Sequence, residues 1–440
     1  MCVCRGVVYV NKKMGIHPCW LVVVISVILC SLGAMFQISA NATTNNKNIS
    51  RNRLSPLFTR SSGNSPFYLH MGSISISVPT QKESFSTTQV QKQDAIRNSN
   101  TDHTYVQPEN GVITENNNYS FHDTASFSLT EGIQNEPDSL SSKSTYGEKF
   151  HFETILYLPL YLGSRNLNDP QSAAFSEDNR YLYVMYVDGS QATSSSQLGW
   201  VVRYDWQKLM SLKANQPGRM AMLRIAAAHQ DINRVTKFDQ QVLSAIEVGP
   251  KFVTGHAQSL ALNPKTNELW YVQSYGHTSQ NIVARLNTQT LTADYKVQFS
   301  MSRFGMESVL TFDRSGEAFY WIDGRSSATN TGGNATLYHG SISSKGAYFT
   351  AFSQGIAINP TFGAQSIGYN EHNNRLYLVA NDGIISFSLT SVGKLKPNEI
   401  SESNFSETRE LEGLVFMHNS DNGFLLTNRG PEMMQMVAGS

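Results

Sequence analysis

The chain is 440 residues long, with 34 basic and 34 acidic side chains, 40% hydrophobic residues and 15% charged ones. Zero net charge at so low a charge content excludes the electrostatic footprint of a nucleic-acid or anionic-membrane binder. Cys2, Cys4, Cys19 and Cys30 all precede Ser31, so disulfides, thiol nucleophiles and cysteine-bound zinc or iron–sulfur sites are excluded from everything beyond it.

In chain order, Arg5, Lys12 and Lys13 come before an apolar run from Trp20 to Phe36, and Ala40-Asn41-Ala42 follows. That layout predicts a secretory signal peptide over residues 1–42, a secreted or surface-displayed location, and no membrane span once the signal is cleaved. The next region is polar: 49 of the 110 residues from Asn41 to Phe150 are Ser, Thr, Asn or Gln. With no sustained helical or strand period, residues 43–149 read as a disordered linker.

From residue 150 onward the chain repeats. Segments opening at Gln171, Gln258, Glu307, Gln365 and Glu412 align without gaps. The next column holds Ser172, Ser259, Ser308, Ser366 and Gly413, all small. Twelve residues after the opening stand Tyr183, Trp270, Phe319, Tyr377 and Phe424, all aromatic. Gly189, Gly276, Gly383 and Gly430 follow at eighteen, with Gly324 one place early, and predict tight glycine-bearing turns. Each copy reads as short β-strands separated by turn residues, and three of the four start-to-start intervals fall near the period of four-stranded propeller blades, roughly 40–50 residues. The longer first interval needs an insertion, for which Phe238 to Val248 is a candidate amphipathic helix. Too few residues follow Glu412 for four strands, and the apolar segment Phe152 to Tyr161 precedes the first copy unpaired. Pairing it into the last blade closes the ring and removes exposed sheet edges. The expectation is an all-β fold, a five-bladed β-propeller over residues 150–440 closed by an N-terminal strand.

First strands line a propeller's channel, so Gln171, Gln258, Glu307, Gln365 and Glu412 converge at one mouth, with His256 two residues before Gln258. These six are the candidate ligand-binding residues. Their amides and carboxylates equally suit bonding between blades, and whether a metal joins them is left open. The aromatic column reads as packing between blades. The other histidines of the module show no metal-ligand spacing, and no G-x-S-x-G elbow, H-E-x-x-H helix, phosphate loop or EF-hand loop occurs. No enzyme activity and no cofactor are expected.

Three strand openings, Met306-Glu307-Ser308-Val309, His256-Ala257-Gln258-Ser259 and Gln171-Ser172-Ala173-Ala174-Phe175-Ser176, resemble those of the helveticin J-like family of exported lactobacillus proteins. The resemblance covers residues 150–440. It implies a secreted, large and heat-labile bacteriocin acting as a monomer on the envelope of competing bacteria. The polar spacer differs from the β-rich region that precedes the module in that family. The alternative from the residues themselves is a non-enzymatic, surface-displayed propeller that binds carbohydrate, cell-wall polymer or host protein.

Overall fold

The computed structural model describes residues 58–59, 67–71, 74–78, 104–106, 136–142, 144–189, 196–273, 278–305, 308–322, 334–357, 364–380, 383–405 and 409–438. The expected signal peptide lies outside these residues. Within a unit spanning residues 1–80, Phe58–Thr59, Phe67–Met71 and Ile74–Val78 form a three-stranded antiparallel sheet. Among the described residues no helix is long and apolar enough to cross a membrane.

Residues from 81 onward form a second unit, and its architecture is a five-bladed β-propeller. The first blade holds Pro170–Phe175, Tyr181–Val187 and Leu198–Asp205, edged by Ile246–Val248 and Phe252–Val253. The second is the four-stranded sheet Leu260–Asn263, Glu268–Val272, Thr278–Asn287 and Thr292–Gly305. The third runs through Val309–Phe312, Ala318–Ile322 and Asn334–Ser343, whose outer side pairs with both Gly346–Ala351 and Gln354–Ala357. Ala364–Asn370, Arg375–Ala380, Gly383–Ser388 and Ser401–Asn404 make the fourth. The five first strands neighbour one another in cyclic order around the axis.

The aromatic column explains why the blades stack. Tyr183, Trp270, Phe319, Tyr377 and Phe424 are all buried, and each belongs to an apolar cluster shared with the following blade. Tyr183 packs with Leu260 and Tyr271 of the second blade, and Trp270 with Leu310 and Tyr320 of the third. Phe424 closes the circle, since its ring lies 5.5 Å from Phe175 of the first blade. Burial of one large ring per interface contributes about 1.5–3 kcal/mol each from apolar transfer.

Ring closure occurs in the fifth blade. Leu411–Phe416, Gly423–Thr427 and Glu432–Ala438 take Phe150–Tyr157 as their fourth strand, with Phe152 opposite Met436. The closing strand starts two residues earlier than expected and stops at Tyr157, ahead of Pro159, which has no N–H for a ladder. Glu432, fully buried, pins it: Thr154 Oγ1 donates to its Oε2 at 2.7 Å, and Arg409 Nε lies 3.1 Å from its Oε1.

Two differences from the sequence reading stand out. Thr104–Val106, Ser144–Tyr146 and Ser139–Ser141 come from the segment read as linker, yet they add to the outer edges of the third, fourth and fifth blades. They cap sheet edges that would otherwise present unpaired backbone groups. The insertion of the first blade contains three helices, Trp206–Ser211, Met222–Asp231 and Lys237–Leu243. The expected helix over 238–248 ends at Leu243, because the chain turns there into the edge strand Ile246–Val248; its start is fixed by a Thr236–Asp239 capping box. Arg224 of the middle helix reaches the closing blade, donating to the carbonyls of Leu158 at 2.9 Å and Pro431 at 3.0 Å.

Candidate functional site

The opening column has a backbone cause that its residue types alone do not reveal. In the first, fourth and fifth blades the pairing of first and second strands skips one residue, and the residues skipped are Gln171, Gln365 and Glu412. Each is the extra residue of a β-bulge, a device that breaks the ladder locally and re-aims a side chain. In the second blade the regular strand begins only at Leu260, and Gln258 sits between Ala257 and Ser259, whose φ angles are +57° and +66°. Such positive φ is uncommon for residues with a Cβ and marks a backbone held by its surroundings. Glu307 lies outside the described residues.

The four described column residues form two groups. Gln258 Nε2 donates to Gln365 Oε1 at 2.6 Å, which joins the second and fourth blades across the axis. Gln171 and Glu412 meet through intermediaries: Asn428 Nδ2 donates to Glu412 Oε1 at 2.8 Å and to Asp169 Oδ1 at 3.1 Å, and Gln171 Nε2 donates to that same Asp169 oxygen at 3.0 Å. Asp169, on the approach to the first blade, therefore ties it to the fifth.

The small column beside the bulges holds adjacent blades together. Ser172 Oγ donates to the Ala257 carbonyl at 2.6 Å. Ser259 Oγ donates to the Leu310 carbonyl and accepts the Leu310 N–H at 2.7 Å, and the Leu414 N–H approaches Ser366 Oγ at 3.4 Å. Ser308 bonds instead to Asn281 of the second blade. A hydroxyl on a short stem reaches backbone groups of the neighbouring blade and pairs them.

Charge is concentrated at the corner between the fifth and first blades. Glu412 is 1% exposed; burial first, then the neighbouring Glu410, raises its pKa well above the ordinary carboxylate range. Burial likewise lifts Glu410 to about 7, against the opposing pull of Arg429, whose Nε lies 2.8 Å from its Oε2. Asp169 is raised by burial too, against hydrogen bonds from Asn428 and Gln171. Three carboxyls thus share one arginine. Elsewhere on the mouth, burial lowers His256 to about 4, so its ring is neutral at neutral pH. The far end of the same five strands is lined by Phe175, Leu262, Phe312 and Phe416 together with the charged side chains of Asp313, Arg314 and Glu371.

Asp169, Glu410, Asn428 and Arg429 were absent from the candidate residues. One signal was present: Asp169, His256 and Glu410 each stand two residues before a column position. Asn428 and Arg429 come from the turn after the second strand of the fifth blade, where Arg429 and Gly430 have φ of +56° and +97°. Gly189 departs from its expected role, because its φ is not positive. A Cβ there would sit 3.0 Å from Asp169 Oδ2, so its lack of a side chain makes room for that carboxylate. Among the described residues no group of three His, Cys, Asp or Glu side chains could hold a metal ion.

Comparison with protein families finds no match to this chain, and comparison with curated proteins finds none. Among solved structures, a gluconolactonase from Xanthomonas campestris is 10% identical, with a TM-score of 0.32, over 70% of this chain and 98% of that one. A glucose dehydrogenase is 11% identical, with a TM-score of 0.33, over 71% and 99%. An exo-β-1,3-galactanase from Clostridium thermocellum is 12% identical, with a TM-score of 0.37, over 68% and 62%.

Proposed function

We propose that this protein is a binding propeller that engages a hydroxyl-rich polymer of bacterial cell surfaces at the mouth where its first strands open. The observation that carries this reading is the set of bulges at Gln171, Gln365 and Glu412, together with the Gln258–Gln365 bond across the axis. Amides and carboxyls held on irregular backbone offer both donors and acceptors to sugar hydroxyls, and fixing them before binding reduces the ordering cost.

Sedimentation of the purified full chain with isolated bacterial cell walls tests the reading. Saturable binding that Gln258→Ala and Glu412→Ala weaken tenfold or more is the expected result, and failure to sediment with walls from any of a broad panel overturns it. A second reading is favoured by the strand openings around Gln171, Gln258 and Glu307, which resemble helveticin J-like proteins: wall engagement ends in killing of competing bacteria. Loss of viability of lactobacilli treated with the purified chain is its test, and binding without killing discards it.

A further inference from the structure

The acidic corner of the mouth holds more carboxyl oxygens than the donors Asn428, Gln171 and Arg429 pair among the described residues. Asp169, Glu410 and Glu412 gather around Asn428 and Arg429, with Asp188 behind Asp169 already paired to Lys251. Glu412 Oε1 is satisfied by Asn428, but its Oε2 is buried and meets no hydrogen-bond partner among the described residues. Gln197 shows the same deficit independently of any charge. It is 2% exposed, its Oε1 meets no hydrogen-bond partner among the described residues, and its backbone carbonyl accepts from Thr254 and Gly255 beside the Gly255–Gln258 opening. Leaving buried acceptors unpaired is costly, and a donor-bearing ligand would recover that cost.

We infer that the mouth selects a ligand carrying a protonated primary amine, an amino-bearing wall sugar or polymer, through the acidic corner formed by Glu412, Glu410 and Asp169. An ammonium group supplies three donors and no acceptor, together with the positive charge that three carboxyls and a single arginine lack. Its compact charge suits a corner whose carboxyls are not arranged to coordinate a metal. Uptake of the cation favours the ionised carboxyls, so binding near neutral pH releases a proton from the Glu410–Glu412 pair. The groups that set this titration are Glu410, Asp169, Arg429 and, through Asp169, Asp188.

The inference rests on wall binding as proposed above, and the experiment separates the two. The full chain is sedimented at pH 7 with cell walls before and after chemical N-acetylation of their free amines. Binding to native walls that falls tenfold or more on acetylation supports the inference. Equal binding to both overturns it while leaving the wall-binding reading intact, and no binding to either overturns both. Competition on native walls by 1-amino-1-deoxysorbitol and by sorbitol, which differ by an ammonium in place of a hydroxyl, gives a second readout on unmodified protein. The amine should compete at a concentration at least tenfold lower. Equal competition, or displacement by calcium chloride but not by the amine, overturns the assignment. Calorimetry of the amine in two buffers of different ionisation enthalpy should show proton release that Glu412→Gln abolishes; uptake or no exchange in the unmodified chain counts against it.

Discussion

The aromatic column and the Gln/Glu column recur with one period, yet they obey different physics. Every aromatic has the same surroundings, an apolar seam between two blades, so any large ring serves and the column tolerates Tyr, Trp or Phe. The Gln/Glu residues share a backbone feature instead. A bulge or strained opening turns each of the four described ones off its sheet, and the chemistry then depends on what loops arrive beside it. Two of them close on each other as neutral amides, while two are drawn into a carboxyl cluster by Asp169 and Asn428. Repetition preserves the frame, and divergence of the flanking residues creates the site.

Five substitutions probe that contrast. Trp270→Ala should have the largest effect, lowering stability by about 3–5 kcal/mol as measured by denaturant unfolding, since it leaves a cavity in the seam between the second and third blades. A loss under 1 kcal/mol would mean that the seam collapses freely. Glu412→Gln should do the opposite at alkaline pH. The folded-state pKa values of Glu410 and Glu412 lie above their unfolded ones, so the stability linked to their protons is complete below about pH 4.5 and is lost as pH rises, through about 7 for Glu410. The variant should therefore match the parent at pH 4.5 and exceed it in melting temperature at pH 8. Equal melting temperatures at both values would show that the carboxyl is not held protonated by its surroundings.

Ser259→Ala removes a hydroxyl that serves both the N–H and the carbonyl of Leu310. A loss of about 1–2 kcal/mol is expected, measured as for Trp270, with wall binding retained. The smallest effect belongs to the amide pair. Gln258→Ala and Gln365→Ala should each cost about 0.5–1.5 kcal/mol and together less than their sum, and strict additivity would mean that the bond across the axis contributes nothing.

Much of the frame was legible because large buried rings at fixed spacing leave a strong periodic mark. The columns at Tyr183 through Phe424 and the unpaired Phe152 segment are enough for five blades and a closed ring. The edge strands Thr104–Val106, Ser139–Ser141 and Ser144–Tyr146 were not legible: three residues bonded through backbone on an outer edge need no hydrophobic alternation. The helix Met222–Asp231 was missed despite its run Ala226-Ala227-Ala228, a favourable helical composition. At the site, Gln258 and Gln365 were singled out by the repeat, whereas Asp169, Asn428 and Arg429 flank its columns at positions whose residue types vary from copy to copy.

Phe150–Tyr157 carries a consequence for how the protein comes into being. Thr154 and Glu432, which grip each other in the finished blade, stand 278 residues apart in sequence. During synthesis the closing strand emerges ahead of the five repeats with only the edge strand Ser139–Ser141 beside it, and its inner partner Glu432–Ala438 comes last, so four blades must hold together as an open arc with the loop-closure entropy still to be overcome. Completion is then all at once: the last strand arrives, Glu432 finds Thr154, and an arc with two ends becomes a ring with none.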